Sequence, residues 1–89
     1  MNVGENQINS LGYDLINAGK INEAIEILKL NVIEYPFNPN SYDSLGEAYP
    51  IIDVKELAIE NYKKALQLDP NFKTSKKALK KLRKSSFNF

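Results

Sequence analysis

Two pairs of carboxylates at helical spacing are the residues of this chain that come closest to a catalytic pattern. Asp43 and Glu47 would lie one turn apart on the same face of a helix, where paired carboxylates can perform acid–base catalysis. The same spacing recurs at Glu56 and Glu60, and it arises by chance on many acidic helices. No nucleophile–base pair, phosphate-binding loop or metal cluster accompanies either pair. We therefore predict that the chain is not an enzyme.

The composition of the 89 residues excludes further kinds of chemistry. Without cysteine there can be no disulfide, zinc knuckle or thiol nucleophile, and without histidine the commonest metal ligand is missing. We accordingly expect no cofactor and no metal. No apolar run approaches the roughly 20 residues that cross a bilayer, so we expect no membrane span and take the cytoplasm as the default location.

Charge is divided unevenly along the chain, although the net charge is only +1. Residues 1–72 carry 5 Lys+Arg and 11 Asp+Glu, whereas residues 73–89 carry 7 Lys+Arg and no acid. A basic helix of this kind could bind nucleic acid or an anionic membrane surface. The terminal helix of a helical array must also present a polar face to water, and cations suit a helix C-terminus. We favour this second interpretation, so binding to nucleic acid or an anionic surface is the alternative rather than the expected function.

An internal repeat of 34 residues organises the elements that carry these charges. An ungapped alignment of residues 5–38 with residues 39–72 gives nine identities. The identities include small, turn and core residues: Gly12 with Gly46, Ala24 with Ala58, and Pro36 with Pro70. Chance similarity between two amphipathic helices would not align all three types, so we name these segments repeat unit 1 and repeat unit 2.

The spacing of apolar and turn residues predicts two helices in each repeat unit. In repeat unit 1, apolar residues at helical spacing stop at Gly19, which is a natural helix C-terminal cap. A second helix is predicted from about Ile21 to Tyr35, because Pro36 cannot continue it.

A proline distinguishes the first helix of repeat unit 2. Pro50 predicts that this helix ends near Tyr49 and that an apolar turn follows, because a proline inside a helix costs about 3 kcal/mol. Asp53 and Glu56 have the spacing of a capping box. Asp53 is therefore the expected N-cap of a helix that reaches Leu68.

Several positions of repeat unit 2 form a recognisable pattern. They are the run Ser44-Leu45-Gly46-Glu47-Ala48-Tyr49 and the later residues Ala58, Tyr62, Ala65 and Asp69-Pro70-Asn71. This pattern resembles the tetratricopeptide repeat (TPR) family, which implies an all-α fold, an α-α superhelix of helical hairpins with about five helices. The implied divisions are an N-terminal extension (1–4), repeat unit 1 (5–38), repeat unit 2 (39–72), a basic capping helix (73–84) and a flexible tail (85–89).

Small residues are expected where the paired helices cross. Gly12 and Gly46 would let the two helices of each unit approach closely, and Ala24 and Ala58 would occupy the same crossing from the other helix. Asn31 stands where repeat unit 2 has an alanine. We interpret it as a partly buried amide that bonds to backbone across the junction between the units.

The resemblance also implies a concave groove, lined by the first helix of each unit and by the capping helix. The residues expected to contact a ligand there are Asn6, Asn9, Tyr13, Asn17, Asn40, Asp43, Glu47, Lys77 and Lys81. The residues expected to share this surface are Ser10, Ser44, Ile51, Thr74 and Ala78. One TPR subclass clamps the carboxylates of chaperone tails with cations that are absent from the corresponding positions, so we do not expect that ligand.

The expected function is protein–protein interaction. A groove rich in amides and hydroxyls suits a peptide or protein segment, and a groove that is merely solvated is the alternative. Two units are few for a stable array. We therefore expect the chain either to self-associate as a homo-oligomer or to belong to a larger protein, as similar short arrays do in bacterial multidomain proteins.

Overall fold

α-Helices make up most of the part of the chain that the structure describes, which confirms the all-α prediction. The structure is a computed structural model that describes the backbone of residues 4–87 and the side chains of residues 4–84. The elements are α1 (Glu5–Asn17), α2 (Ile21–Glu34), α3 (Pro39–Ala48), a 3₁₀ helix (Tyr49–Ile52), α4 (Lys55–Leu68) and α5 (Lys73–Phe87). No strand occurs within residues 4–87.

The two ends of the chain differ partly from the sequence prediction. Helix α5 continues to Phe87, so three residues of the predicted tail (85–89) belong to this helix. Gly4, from the predicted N-terminal extension (1–4), is the N-cap of α1. The remaining residues of these two predicted segments, 1–3 and 88–89, lie outside the described residues.

Neighbouring helices pack as hairpins. Helix α1 packs against α2 and α3 packs against α4, so each repeat unit forms one hairpin. Contacts between α2 and α3 join the two hairpins, and α5 packs against α4. The main buried cluster follows these contacts through four helices and the 3₁₀ helix: Ile25, Leu28, Leu45, Ala48, Tyr49, Ala58, Tyr62 and Leu79.

A glycine lies where the two helices of each hairpin meet, as predicted. A Cβ atom on Gly46 would lie 2.9 Å from Cε1 of Tyr62, and a Cβ atom on Gly12 would lie 2.5 Å from Cδ2 of Leu28. Both distances are below 3.0 Å, a limit that real Cβ contacts essentially never cross. The alanines predicted at the crossing are fully buried: Ala24 and Ala58.

The turn between α1 and α2 closes with two backbone hydrogen bonds. The N–H of Lys20 donates to the carbonyl of Leu15 at 2.8 Å, and the N–H of Gly19 donates to the carbonyl of Ile16 at 3.0 Å. Gly19 has a φ of 78°, in the left-handed region that glycine adopts without steric cost. These features define a Schellman motif, which satisfies carbonyls left unpaired at the end of α1.

The turn of repeat unit 2 has the same hydrogen bonds 34 residues later. The N–H of Val54 donates to the carbonyl of Tyr49, and the N–H of Asp53 donates to the carbonyl of Pro50, both at 3.0 Å. The helix α3 ends just before Tyr49 and the 3₁₀ helix follows, which confirms the turn predicted from Pro50. The repeat therefore extends to the backbone geometry of its turns.

The predicted N-cap role of Asp53 is wrong. Val54 is the N-cap of α4, and no side chain among the described residues caps this helix. Asp53 instead has a φ of 62° and a ψ of 34°, so it takes the left-handed position that Gly19 holds in repeat unit 1. Aspartate is one of the few residues other than glycine that tolerate this conformation, and the turn requires it.

The interpretation of Asn31 also needs correction. Its side chain is fully buried rather than partly buried, and its Nδ2 donates to the carboxylate Oε1 of Glu5 at 3.4 Å instead of to backbone. The same Oε1 accepts a hydrogen bond from Nδ2 of Asn40 at 3.0 Å. Glu5 can reach both amides because it opens α1 beside the junction of α2 and α3.

We predict that Asp53→Gly raises the free energy of unfolding by about 0.5–1 kcal/mol, because glycine removes the steric cost of the left-handed backbone. Thermal unfolding followed by far-UV circular dichroism would measure the change. The matched control is Asp53→Asn, which removes the charge but keeps a side chain that tolerates this conformation, and it should change stability little. A lower stability for the glycine variant would contradict this assignment and favour the N-cap role.

Candidate functional site

A cleft of about 450 Å³ opens where α1, α3 and α5 converge on the ring of Tyr62 from α4. Its lining combines carboxylates, an amide, a hydroxyl and aromatic rings: Tyr13, Asn40, Asp43, Glu47, Tyr62, Phe72, Thr74 and Ala78. Helix α1 contributes one of these residues, α3 three, α4 one and α5 two, and Phe72 immediately precedes α5. The cleft therefore exists only because both repeat units and α5 are packed together.

Helix α3 places on one face the three polar residues that it contributes to the cleft. Asn40, Asp43 and Glu47 are separated by three and four residues, which is the spacing of neighbours on a helix surface. The start of α3 is fixed by Pro39 in its first turn and by Asn38, whose Oδ1 accepts a hydrogen bond from the backbone N–H of Asn40 at 3.0 Å. This cap sets where the helix begins.

A buried hydrogen bond attaches α5 to α3. The hydroxyl of Ser75 donates to Oδ1 of Asp43 at 2.6 Å. Ser75 is fully buried and Asp43 is 7% exposed, so both groups have lost most of their hydration. The bond holds the first turn of α5 against the second repeat unit and thereby positions Thr74 and Ala78 at the cleft.

A second hydrogen bond crosses the cleft between equivalent positions of the two repeat units. The phenol of Tyr13 donates to Oε2 of Glu47, a residue 34 positions later. Burial, the hydrogen bond to Glu47 and the charges of Glu47 and Asp43 together raise the pKa of Tyr13 to about 12, with burial as the largest cause, while Ser44 opposes part of the rise. At neutral pH the phenol therefore remains a donor.

Tyr62, the second tyrosine of the cleft, lies in the same electrostatic environment. Burial is the main cause that raises the pKa of Tyr62 far above its ordinary value, and the negative charges of Asp43 and Glu47 add to it. Both carboxylates thus act on the ring at once. The cleft is a region of negative potential with aromatic walls.

Four of the nine residues predicted to contact a ligand line this cleft, namely Tyr13, Asn40, Asp43 and Glu47. Thr74 and Ala78, which were expected on the same surface, line it as well. The other five predicted residues do not contribute to its lining within the described part of the chain: Asn6, Asn9, Asn17, Lys77 and Lys81. The cleft is therefore narrower than the predicted groove.

Two residues of the cleft lining were not predicted. Tyr62 belongs to the second helix of its unit, so its helical spacing indicated the core, and the ring reaches the cleft because it lies against Gly46. Phe72 lies in the connection between α4 and α5, where helical periodicity gives no signal. An aromatic residue at the entrance to the capping helix was the available clue.

The cations of α5 surround a different, shallow depression of about 660 Å³. Its floor includes Leu66 and Leu79. Its basic residues are Lys76, Lys77, Lys80, Arg83 and Lys84. Lys77 thus borders this basic depression rather than the cleft.

Comparison with known proteins leaves the function to be inferred from the chain itself. No protein-family model matches the sequence, and no curated protein is significantly similar to it. No helix in the described part of the chain is long and apolar enough to cross a membrane. Within the same residues, no group of three or more Asp or Glu side chains is arranged to hold a metal ion.

We predict that an ultraviolet titration detects one tyrosine that ionises near pH 12, and that Tyr13→Phe removes this step. Folding raises the pKa of this phenol above its ordinary value of 10, so its contribution to stability is complete below pH 10 and is lost as the pH rises through 12. The free energy of unfolding should consequently fall less steeply above pH 10 in the variant. Tyr35→Phe, which alters a phenol outside the cleft, is the control and should keep the step. Ionisation of Tyr13 near pH 10 would contradict its burial and its bond to Glu47.

Proposed function

We propose that the chain is a two-repeat TPR domain with a capping helix, and that it binds a peptide or protein segment in the cleft between α1, α3 and α5. The convergence of side chains from both repeat units and from α5 on one cleft is the observation that carries this proposal. Binding clefts between helices commonly combine aromatic surface with a few polar groups that fix the orientation of the ligand. The lining of this cleft has that character.

The backbone supports the assignment to the TPR class. The turns of the two units share their hydrogen bonds at an interval of 34 residues, and a glycine faces a large side chain at the same position in each hairpin. Stacked hairpins of this kind create extended binding surfaces between successive units. The position of the cleft agrees with such a surface.

The chemistry of the cleft favours binding over catalysis. Asp43 and Glu47 are both engaged by hydroxyl groups of the chain, through Ser75 and Tyr13 respectively. Ser75 is fully buried, so its hydroxyl could not reach a substrate as a nucleophile activated by Asp43. Buried tyrosine rings, by contrast, are frequent anchors at binding interfaces.

Exposed apolar side chains support a second interaction surface, outside the cleft. Ile33 is 71% exposed and Phe37 is 84% exposed, at the end of α2 and in the turn after it. Large exposed apolar patches often mark interaction surfaces, and arrays of about three units are usually needed for stability. We propose that the domain self-associates or packs against another part of a larger protein.

Blocking the cleft should abolish peptide binding. Thr74 is exposed on α5 and lines the cleft, so the ring in Thr74→Tyr would occupy the space for a ligand without disturbing the core. Peptides selected from a random-sequence library against the native protein should bind this variant at least about tenfold more weakly, as measured by fluorescence anisotropy. Gln67→Tyr adds the same ring at an exposed position of α4 outside the cleft lining and should bind normally. A library that yields no binding peptide, or peptides that bind Thr74→Tyr normally, would refute the proposal.

The five cations around the basic depression favour a second candidate function, binding of nucleic acid or another anionic surface. Such binding should weaken steeply between roughly 50 and 200 mM salt. The double variant Lys76→Gln with Lys80→Gln should weaken the binding of a single-stranded RNA, whereas Lys20→Gln with Lys63→Gln, which removes two exposed cations elsewhere, should not. No binding at low salt would eliminate this candidate.

A further inference from the structure

Asp43 is a charged group with little compensation inside the chain. It is 7% exposed, and its Oδ1 accepts one hydrogen bond from the neutral hydroxyl of Ser75. A carboxylate can accept about four hydrogen bonds, and no Lys or Arg side chain lines the cleft beside this one among the described residues. Burying a carboxylate is costly unless a cation or several donors accompany it. This carboxylate therefore faces the cleft with part of its bonding capacity unused.

A second carboxylate reaches the same cleft from one turn further along α3. Glu47 is exposed, and the phenol of Tyr13 donates to its Oε2. That bond holds the carboxylate at the cleft. The two negative charges lie close enough together to act jointly on the phenol of Tyr62. An entering group would meet one buried and one exposed carboxylate.

The walls of the cleft suit the long stem of a cationic side chain. Tyr13, Tyr62 and Phe72 contribute aromatic surface around the carboxylates. Aromatic faces attract ammonium and guanidinium groups, and the methylene stems of lysine and arginine pack well on apolar surface. An acidic group would be repelled by both carboxylates, and a neutral one would leave Asp43 without an opposite charge.

The cations of the chain itself leave the cleft unoccupied. Lys77, on the same helix as Thr74 and Ala78, borders the basic depression instead. No Lys or Arg belongs to the lining of the cleft among the described residues. A complementary charge must then come from a partner.

We infer that the cleft is the receptor for a lysine or arginine side chain of the bound segment. Asp43 and Glu47 accept hydrogen bonds from its charged group. The aromatic rings around its stem are those of Tyr13, Tyr62 and Phe72. The inference rests on the proposed peptide-binding function and specifies the chemistry of the segment. Asp43 supplies the stronger contact because it is shielded from water and salt. Glu47 supplies the weaker one at the rim.

Two blocked peptides test the inference: Gly-Ser-Lys-Ser-Gly and its analogue with norleucine in place of lysine. Norleucine keeps the unbranched aliphatic side chain but lacks the charge. Titration of the isotope-labelled protein, followed by amide NMR shifts, should show the lysine peptide shifting the amides of Tyr13, Asp43 and Thr74. The norleucine peptide should bind at least about tenfold more weakly. Equal binding of the two peptides, or no shift of these amides by the lysine peptide, would overturn the inference.

Charge-neutral variants distinguish binding at the cleft from general attraction to the negatively charged residues 1–72. Asp43→Asn should lower the affinity for the lysine peptide about tenfold, and Glu47→Gln about threefold. Glu47 is exposed, so its variant tests the inference even if Asp43→Asn impairs folding. Asp14→Asn and Glu60→Gln remove the same charge at exposed positions outside the cleft lining and should leave the affinity unchanged. Equal losses in all four variants would indicate unspecific attraction and overturn the inference.

The peptide library distinguishes a failure of the proposed function from a failure of the charge specificity. Peptides selected from the random library that lose binding in Thr74→Tyr but show no preference for lysine or arginine would retain the peptide-binding function and refute the charge specificity. A library without any binding peptide would refute the function itself. A basic residue at one fixed position of the selected peptides, combined with weaker binding to Asp43→Asn, would support both.

Discussion

The contact between the backbone of Gly46 and the ring of Tyr62 is the packing constraint on which the cleft depends. The ring is almost fully buried, and it fills the space that a side chain at position 46 would need. A larger residue there would separate α3 from α4, because close-packed interiors cannot absorb the extra volume. Asp43 and Glu47 lie on either side of Gly46 along α3, so the same separation would move both carboxylates away from the ring. The packing of α3 on α4 and the placement of both carboxylates beside the ring therefore depend on the same contact.

The buried carboxylate of Asp43 is difficult to explain by stability alone. An apolar pair between α3 and α5 could pack there without desolvating a charge, and such replacements are often neutral or stabilising. The hydroxyl of Ser75 offsets only part of the cost, since it serves one oxygen of the carboxylate. Proteins tend to break local stability rules where function requires it. The bond also orients the start of α5, so the group that costs stability is the one that builds the wall of the cleft.

Much of the fold follows from the 34-residue period, because residues at equivalent positions form the same hydrogen bonds even where Pro50 replaces an isoleucine. The period also marked the faces of α1 and α3, which supply four cleft residues. Capping was less predictable, because the spacing of Asp53 and Glu56 does not reveal whether the first residue has an extended or a left-handed backbone. The side of α5 on which Lys77 lies could not be predicted, for another reason. The rotation of α5 about its axis depends on which of its residues pack into the body, and sequence periodicity does not specify that tertiary choice.

Helix α5 separates two surfaces of opposite charge. Thr74 and Ala78, four residues apart, lie on the side that borders the carboxylates, whereas Lys76 and Lys80 lie about half a turn away, where the basic depression forms. A partner with a cationic side chain for the cleft and an acidic group for the depression would contact both sides of this one helix. Complementary charges of this kind fix orientation and speed association more than they add affinity. The net charge of +1 is therefore a poor guide to partners, because each surface selects for charge independently.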